Sequence, residues 1–288
     1  MLATFVIGLR EGLEAALIVG IVAAFLRQRG RTEALTYVWI GVLLAVLVCV
    51  GIAVGLVILS SELTQRAQEG LETAIGLVAV AMVTYMVVWM RRHSRDLKKS
   101  LEGAASSALA TGSVLALVAM AVLAVLREGI ETVVFLLALF RTAGTPALAG
   151  LGALLGLVAA VALGYGIYRG GVRLNLSRFF RGTGLVLVLV AAGLLMSAVH
   201  TAHAAGWLDI GQARALDLRW LVQPGSILES LLTGVLGLQP TPTVIETVAW
   251  LVYLVPLAVY VAWPASGRQR TSTVDSSDGS PATTEAAR

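Results

Sequence analysis

The chain has 288 residues, of which 58% are hydrophobic and 13% charged, with a formal net charge of +4. A soluble domain carries roughly a quarter charged residues, so a soluble enzyme with a polar surface is excluded, as is a disordered or fibrous chain. The single cysteine, Cys49, excludes a disulfide framework and a cysteine-built metal site. The basic balance is the kind that arginine-rich cytoplasmic loops produce, and it does not call for nucleic acid as a partner.

A helix crosses about 30 Å of hydrocarbon with about 20 mostly apolar residues. In chain order, seven stretches meet that length: 2–26, 34–59, 67–90, 112–140, 147–168, 182–206 and 244–263. Barrel strands would alternate polar and apolar positions, which these runs do not. The first stretch does not read as a cleavable signal, because its apolar part is too long and no basic segment precedes it. An outer loop, 207–243, precedes the last span. Residues 264–288 are rich in Ser, Thr, Ala and charge, and read as a disordered cytoplasmic tail.

The basic residues orient these spans. Segments 27–33, 91–103, 169–181 and the tail together hold fifteen Arg and Lys, whereas the opposite side holds Arg66, Arg141, Arg214 and Arg219. Basic loops stay in the cytoplasm, so the expectation is an outer N-terminus and a cytoplasmic C-terminus. Only Arg10 and Arg127 fall inside apolar spans.

Those two arginines begin nearly identical words. The first span reads Arg10-Glu11-Gly12-Leu13-Glu14 and the fourth Arg127-Glu128-Gly129-Ile130-Glu131. Charge within a bilayer is costly and marks function by default. Residues three apart share a helix face, so Glu11 and Glu14 project together, as do Glu128 and Glu131; each arginine can pair with the glutamate four residues on. If the two faces meet, four carboxylates and two guanidiniums leave a net charge of −2 in a poorly solvated place. A bound cation would compensate it. Hard oxygen ligands suit Fe³⁺ and, less selectively, Fe²⁺, Mn²⁺ and other divalent ions. The alternative is an ion-pair network that only fixes helix packing. Two copies of one charged word argue against it, since apolar residues would pack there at lower cost.

Three spans separate the words, so their helices cross in opposite directions. Residues of about 1–90 and 112–206 then read as a 3+3 inverted repeat, an architecture that binds substrate near the midplane. Gly8/Gly12, Gly51/Gly55 and Gly152/Gly156 are small-xxx-small pairs that let helices approach closely.

Both words match the Arg-Glu-x-x-Glu signature, and the chain resembles the high-affinity iron permeases, a family with fungal oxidase-coupled and bacterial ferrous-iron members. The resemblance covers residues 1–263. It implies a non-enzymatic, multi-pass protein of the cytoplasmic membrane that moves iron inward, as Fe²⁺ or Fe³⁺. Iron is then substrate, with no tightly bound cofactor. Glu11, Glu14, Glu128 and Glu131 would handle the metal, with Arg10 and Arg127 supporting the motif. The resemblance also implies partners outside the membrane, such as an iron-binding protein, a haem peroxidase or a multicopper oxidase, and a homo-oligomer is compatible with it. Lead-uptake proteins share the superfamily, so lead is the alternative metal.

Further candidates lie toward the outer ends. Glu69 and Glu72 echo the Glu-Gly-Leu-Glu word without its arginine and could draw cations inward; acidic residues in a first helical turn are equally well explained by the helix dipole. His200 and His203, with Asp209 nearby, could join that entrance or simply bond to neighbouring carbonyls. Thr243 and Glu246 spell a capping box at the start of the last span, and Ser226 and Glu229 repeat the pattern. Met82, Met86 and Met90 form a stripe that reads as packing rather than a copper path. A different class, an intramembrane di-iron oxidase, would use Glu-x-x-His pairs, which the chain lacks. A non-transporting scaffold held together by its charges is a third reading.

Overall fold

The computed structural model describes residues 1–28, 30–93, 114–142, 146–169, 175–208, 210–211, 213–217, 236, 239 and 241–263. Asp209, Ser226, Glu229 and the tail lie outside these residues. Among them are seven α-helices: α1 Leu2–Gln28, α2 Glu33–Ser61, α3 Gln65–His93, α4 Val114–Thr142, α5 Pro146–Tyr168, α6 Leu176–Ala204 and α7 Val244–Ala262. Five of them (α2, α3, α5, α6 and α7) are long and apolar enough to cross a membrane. The other two, α1 and α4, have 27 and 29 residues, about 40 Å of helix each. Their apolar runs are broken by the charged words.

Several ends differ from the sequence expectation. Helix α6 starts at Leu176 rather than 182, because the Asn175 side chain accepts from the Arg178 amide at 3.2 Å and caps it. Arg178 and Arg181 are therefore helical rather than loop residues. Helix α3 starts at Gln65, so Glu69 and Glu72 sit beyond its first turn. The helix dipole acts within the first turn, and so it does not explain them. The capping box at Thr243 and Glu246 is present, with both reciprocal bonds formed.

The helices pack in a swapped pattern. The most extensive contacts join α1 to α5, α2 to α4, α3 to α6 and α6 to α7, with α1 crossing α4 and α3 crossing α4. The α1–α5 crossing is made of small residues. A Cβ added at Gly8 would stand 2.6 Å from the Ala153 carbonyl oxygen, and one at Gly12 would meet Ala160 Cβ at 2.8 Å and Leu157 Cδ1 at 2.9 Å. Only hydrogen fits there, and that absence of side chain brings the two backbones together. The α2–α4 crossing mirrors it: a Cβ on Gly129 would lie 2.5 Å from Cys49 Sγ. Cys49 is buried and its thiol donates to the Leu126 carbonyl at 3.8 Å. Thus the glycine of the first word faces a helix four positions on in chain order, and that of the second a helix two positions back.

One apolar core joins α1, α3, α4, α6 and α7, including Ile7, Val83, Phe135, Leu187 and Val261. Met82, Met86 and Met90 pack as a core stripe, with Met86 and Met90 buried. Helix α2 instead turns Ile40, Leu43, Leu44, Leu47 and Ile58 outward, the surface that lipid would cover. Arginines close the far end of α7. Arg91 Nη2 donates to the Trp263 carbonyl at 2.7 Å with its guanidinium 4.0 Å from the Tyr260 ring centroid, and Arg181 donates to the Ala262 carbonyl. Cations at a helix C-terminus satisfy its orphan carbonyls and oppose its negative dipole end.

A candidate intramembrane metal centre

The two words meet where α1 crosses α4. Each lies near mid-helix: Glu11 is nine residues from the start of α1, and Glu131 is eleven from the end of α4. Both distances correspond to about 15 Å of helix. One carboxylate oxygen each from Glu11, Glu128 and Glu131 lie within 4.8 Å of one another, the only group of metal-ligand side chains of this kind among the described residues. Glu11 and Glu128 are buried and Glu131 nearly so.

The charges within the cluster are unevenly matched. On α4, Arg127 Nε donates to Glu131 Oε1 at 2.9 Å and stands 4.0 Å from Glu128 Oε1; its side chain is 54% exposed. On α1, Arg10 is 1% exposed, lies 3.5 Å from Glu14 Oε1 and has its guanidinium 6.0 Å from the Phe180 ring centroid. That contact lacks hydrogen-bond geometry, and Arg10 Nε and Nη1 have no hydrogen-bond partner among the described residues. Neither do both oxygens of Glu11 nor Oε2 of Glu128. Buried ionisable groups are normally paired, and each unpaired one calls for an explanation. Glu14 Oε1 is orphaned as well, so the unmatched atoms are two nitrogens of Arg10 and oxygens of Glu11, Glu14 and Glu128; carboxylate oxygens of this kind are the donors that a hard cation takes.

The four motif glutamates are therefore not equivalent. Three converge, while Glu14 lies beside Arg10. The sequence treats the words as twins, and nothing in it separates a sealed Arg10 from a half-exposed Arg127. Arg10 has Phe180 of α6 beside it, a contact across 170 residues of chain.

The outer candidates are arranged differently. Gln65 Nε2 donates to Glu69 and Gln68 Nε2 to Glu72, both at 3.3 Å. Thr73 on α3 bonds Thr201 on α6 at 2.8 Å, and the Trp207 ring closes over Gly70. His200 Nδ1 is 2.9 Å from Glu246 Oε1, so Glu246, 2% exposed, both caps α7 and holds α6. Sequence reasoning found the cap but not this pairing. His203 is engaged as well. Glu69, Glu72, His200 and His203 do not converge into a second metal cluster among the described residues.

Five helices long and apolar enough to cross a membrane define a multi-pass membrane protein, here with a buried carboxylate cluster where α1 crosses α4. Comparison with known proteins makes this particular. Residues 1–266 match the model of the Iron permease FTR1 family. The chain is 42% identical to the ferrous iron permease EfeU of Shigella sonnei over 266 residues, covering 92% of this chain and 96% of that one. It is also 42% identical to the EfeU of Yersinia pestis over 269 residues, covering 92% and 94%. No solved structure matches. The chain belongs to the FTR1 iron permease family.

Proposed function

We propose that the protein carries iron inward across the cytoplasmic membrane through the carboxylate centre. Seven spans, an outer N-terminus and a cytoplasmic C-terminus complete the reading. The observation that carries it is the convergence of Glu11, Glu128 and Glu131 from two helices, with both Glu11 oxygens and Glu128 Oε2 buried and unmatched. Three carboxylates offset by Arg127 leave a charge of −2, which suits Fe²⁺. Arg10 and Glu14 cancel each other, and Glu14 adds a fourth oxygen source as the ion moves. Carboxylates without thiolates bind reversibly enough for the ion to leave.

The swapped helix pairs support a 3+3 inverted repeat. Exchanging α1–α3 with α4–α6 turns the α1–α5 crossing into the α4–α2 crossing, and maps α1–α4 and α3–α6 onto themselves. The centre then sits on the repeat axis, where an alternating-access carrier holds its substrate. In the oxidase reading imidazoles would join the carboxylates, and none does so among the described residues.

Proteoliposomes containing this chain alone test the proposal, with Fe²⁺, Fe³⁺, Pb²⁺, Mn²⁺ and Zn²⁺ compared. Fe²⁺ uptake should be lost in Glu11→Ala and Glu131→Ala, with Glu14→Ala also inactive. Wild-type rates in these variants would overturn it, and faster Pb²⁺ than Fe²⁺ transport would reassign the metal.

A further inference from the structure

A cleft opens between α2, α3, α4 and α6 near the ends that the proposed topology places outside. Ser60, Glu72, Ser197 and Thr201 supply oxygens to it, and Ile75, Ala138 and Leu194 form its apolar side. That apolar side is continuous with the main core. Ala138 and Leu194 belong to the buried cluster that contains Phe135 and Ile7, and Ile75 packs against it.

The same cluster reaches the carboxylates from the other direction. On α4, Glu131, Phe135 and Ala138 are spaced i, i+4, i+7 and share one face. Phe135 is thus about 6 Å of helix beyond Glu131, and Ala138 about 10 Å. On α1, Ile7 stands one turn outward of Glu11 on its face. Phe135 is 0% and Ile7 1% exposed. About one turn of apolar packing therefore separates a cleft with a polar rim from the orphan oxygens of Glu11.

We infer that this cleft is the outer vestibule for a hydrated divalent cation and that Phe135, packed with Ile7, is the gate between it and the carboxylate centre. The inference rests on the transport reading for its direction. A hydrated ion cannot pass well-packed apolar side chains, and an apolar constriction closes by excluding water. Glu72 and the hydroxyls would hold the ion with its water until Phe135 moves. The centre would then be shielded from outside in this conformation, and stripping of water would occur at the gate.

Thiol labelling tests this without iron. In a Cys49→Ala background, intact cells bearing Ser197→Cys or Ile7→Cys are treated with a membrane-impermeant methanethiosulfonate. Ser197→Cys should react readily and Ile7→Cys at least about tenfold more slowly, a difference of about 1.4 kcal/mol. Adding Phe135→Ala should speed Ile7→Cys by about tenfold or more and leave Ser197→Cys unchanged. Phe135→Leu, which retains a large apolar side chain, should keep Ile7→Cys slow. An unreactive Ser197→Cys overturns the vestibule. A fast Ile7→Cys with Phe135 in place, no effect of Phe135→Ala, or acceleration at both positions overturns the gate. A protein that labels as expected but moves no iron would refute the transport reading and leave this one standing.

Discussion

Replacing Glu11 with Gln should make the metal-free protein more stable and abolish its response to iron. At an effective dielectric of about 20, two carboxylates 4.8 Å apart repel by about 3.5 kcal/mol. Glu11 contributes to two such pairs, so removing its charge relieves up to about 7 kcal/mol. The glutamine amide also supplies a donor to a cluster that has an orphan acceptor on Glu128. Relaxation and water entry already recover much of the repulsion in the empty site, which leaves a gain of about 1–3 kcal/mol. That corresponds to a rise in Tm of about 2–10 °C for a domain of this size. Fe²⁺ at a hundredfold excess over its Kd should stabilise the wild type by about 2.7 kcal/mol and leave Glu11→Gln unmoved. Thermal unfolding in detergent, with chelator and with Fe²⁺, measures both effects. A lower metal-free Tm for Glu11→Gln, or a full iron-dependent shift, would refute the reasoning.

Three other expectations concern the scaffold. Gly8→Ala drives its Cβ to 2.6 Å from a backbone oxygen of α5 and should cost about 1–3 kcal/mol. Gly20→Ala, with nothing within 4 Å, should be neutral or stabilising by up to about 1 kcal/mol; thermal unfolding should separate them. Glu246→Ala removes the Glu246 half of the α7 capping box, leaving the Thr243 cap, and also the His200 contact; it should destabilise by about 1–3 kcal/mol, while Glu246→Gln, which can still accept from the Thr243 amide, should lose about half of that. Equal losses would show that the cap contributes nothing. Arg91→Ala combined with Arg181→Ala uncovers the last carbonyls of α7, and hydrogen exchange in its final turn should accelerate by about fivefold or more.

The sequence made the helices and the carboxylates legible because both are signals of local composition. A charged word inside an apolar run is conspicuous, and helical spacing alone puts Glu128 beside Glu131. The capping box was readable for the same reason. What depended on distant contacts was not readable. Small-residue pairs announced that α1 packs closely against something, but α5 as the partner follows only from Gly8 meeting Ala153. The inequality of Glu11 and Glu14 arises where α4 brings Glu128 and Glu131 to Glu11 and not to Glu14, and the second role of Glu246 arises where α6 brings His200 to it. The start of α3 was misplaced because Gln65-Arg-Ala-Gln is polar yet helical, and hydropathy alone could not carry the helix that far.

The swapped pairing of α1 with α5 also bears on how the protein is made. Helix α1 enters the bilayer early with three charged groups, while the helix that supplies its tightest contact starts at Pro146. At about 5–20 residues per second, synthesis takes on the order of 10 s to cover that gap. During this interval Gly8 and Gly12 lack their α5 partner and Arg10 lacks its Phe180 neighbour on α6. The nascent chain therefore needs shelter at the insertion machinery, and assembly of the charged centre is a late step that waits for the second half of the chain.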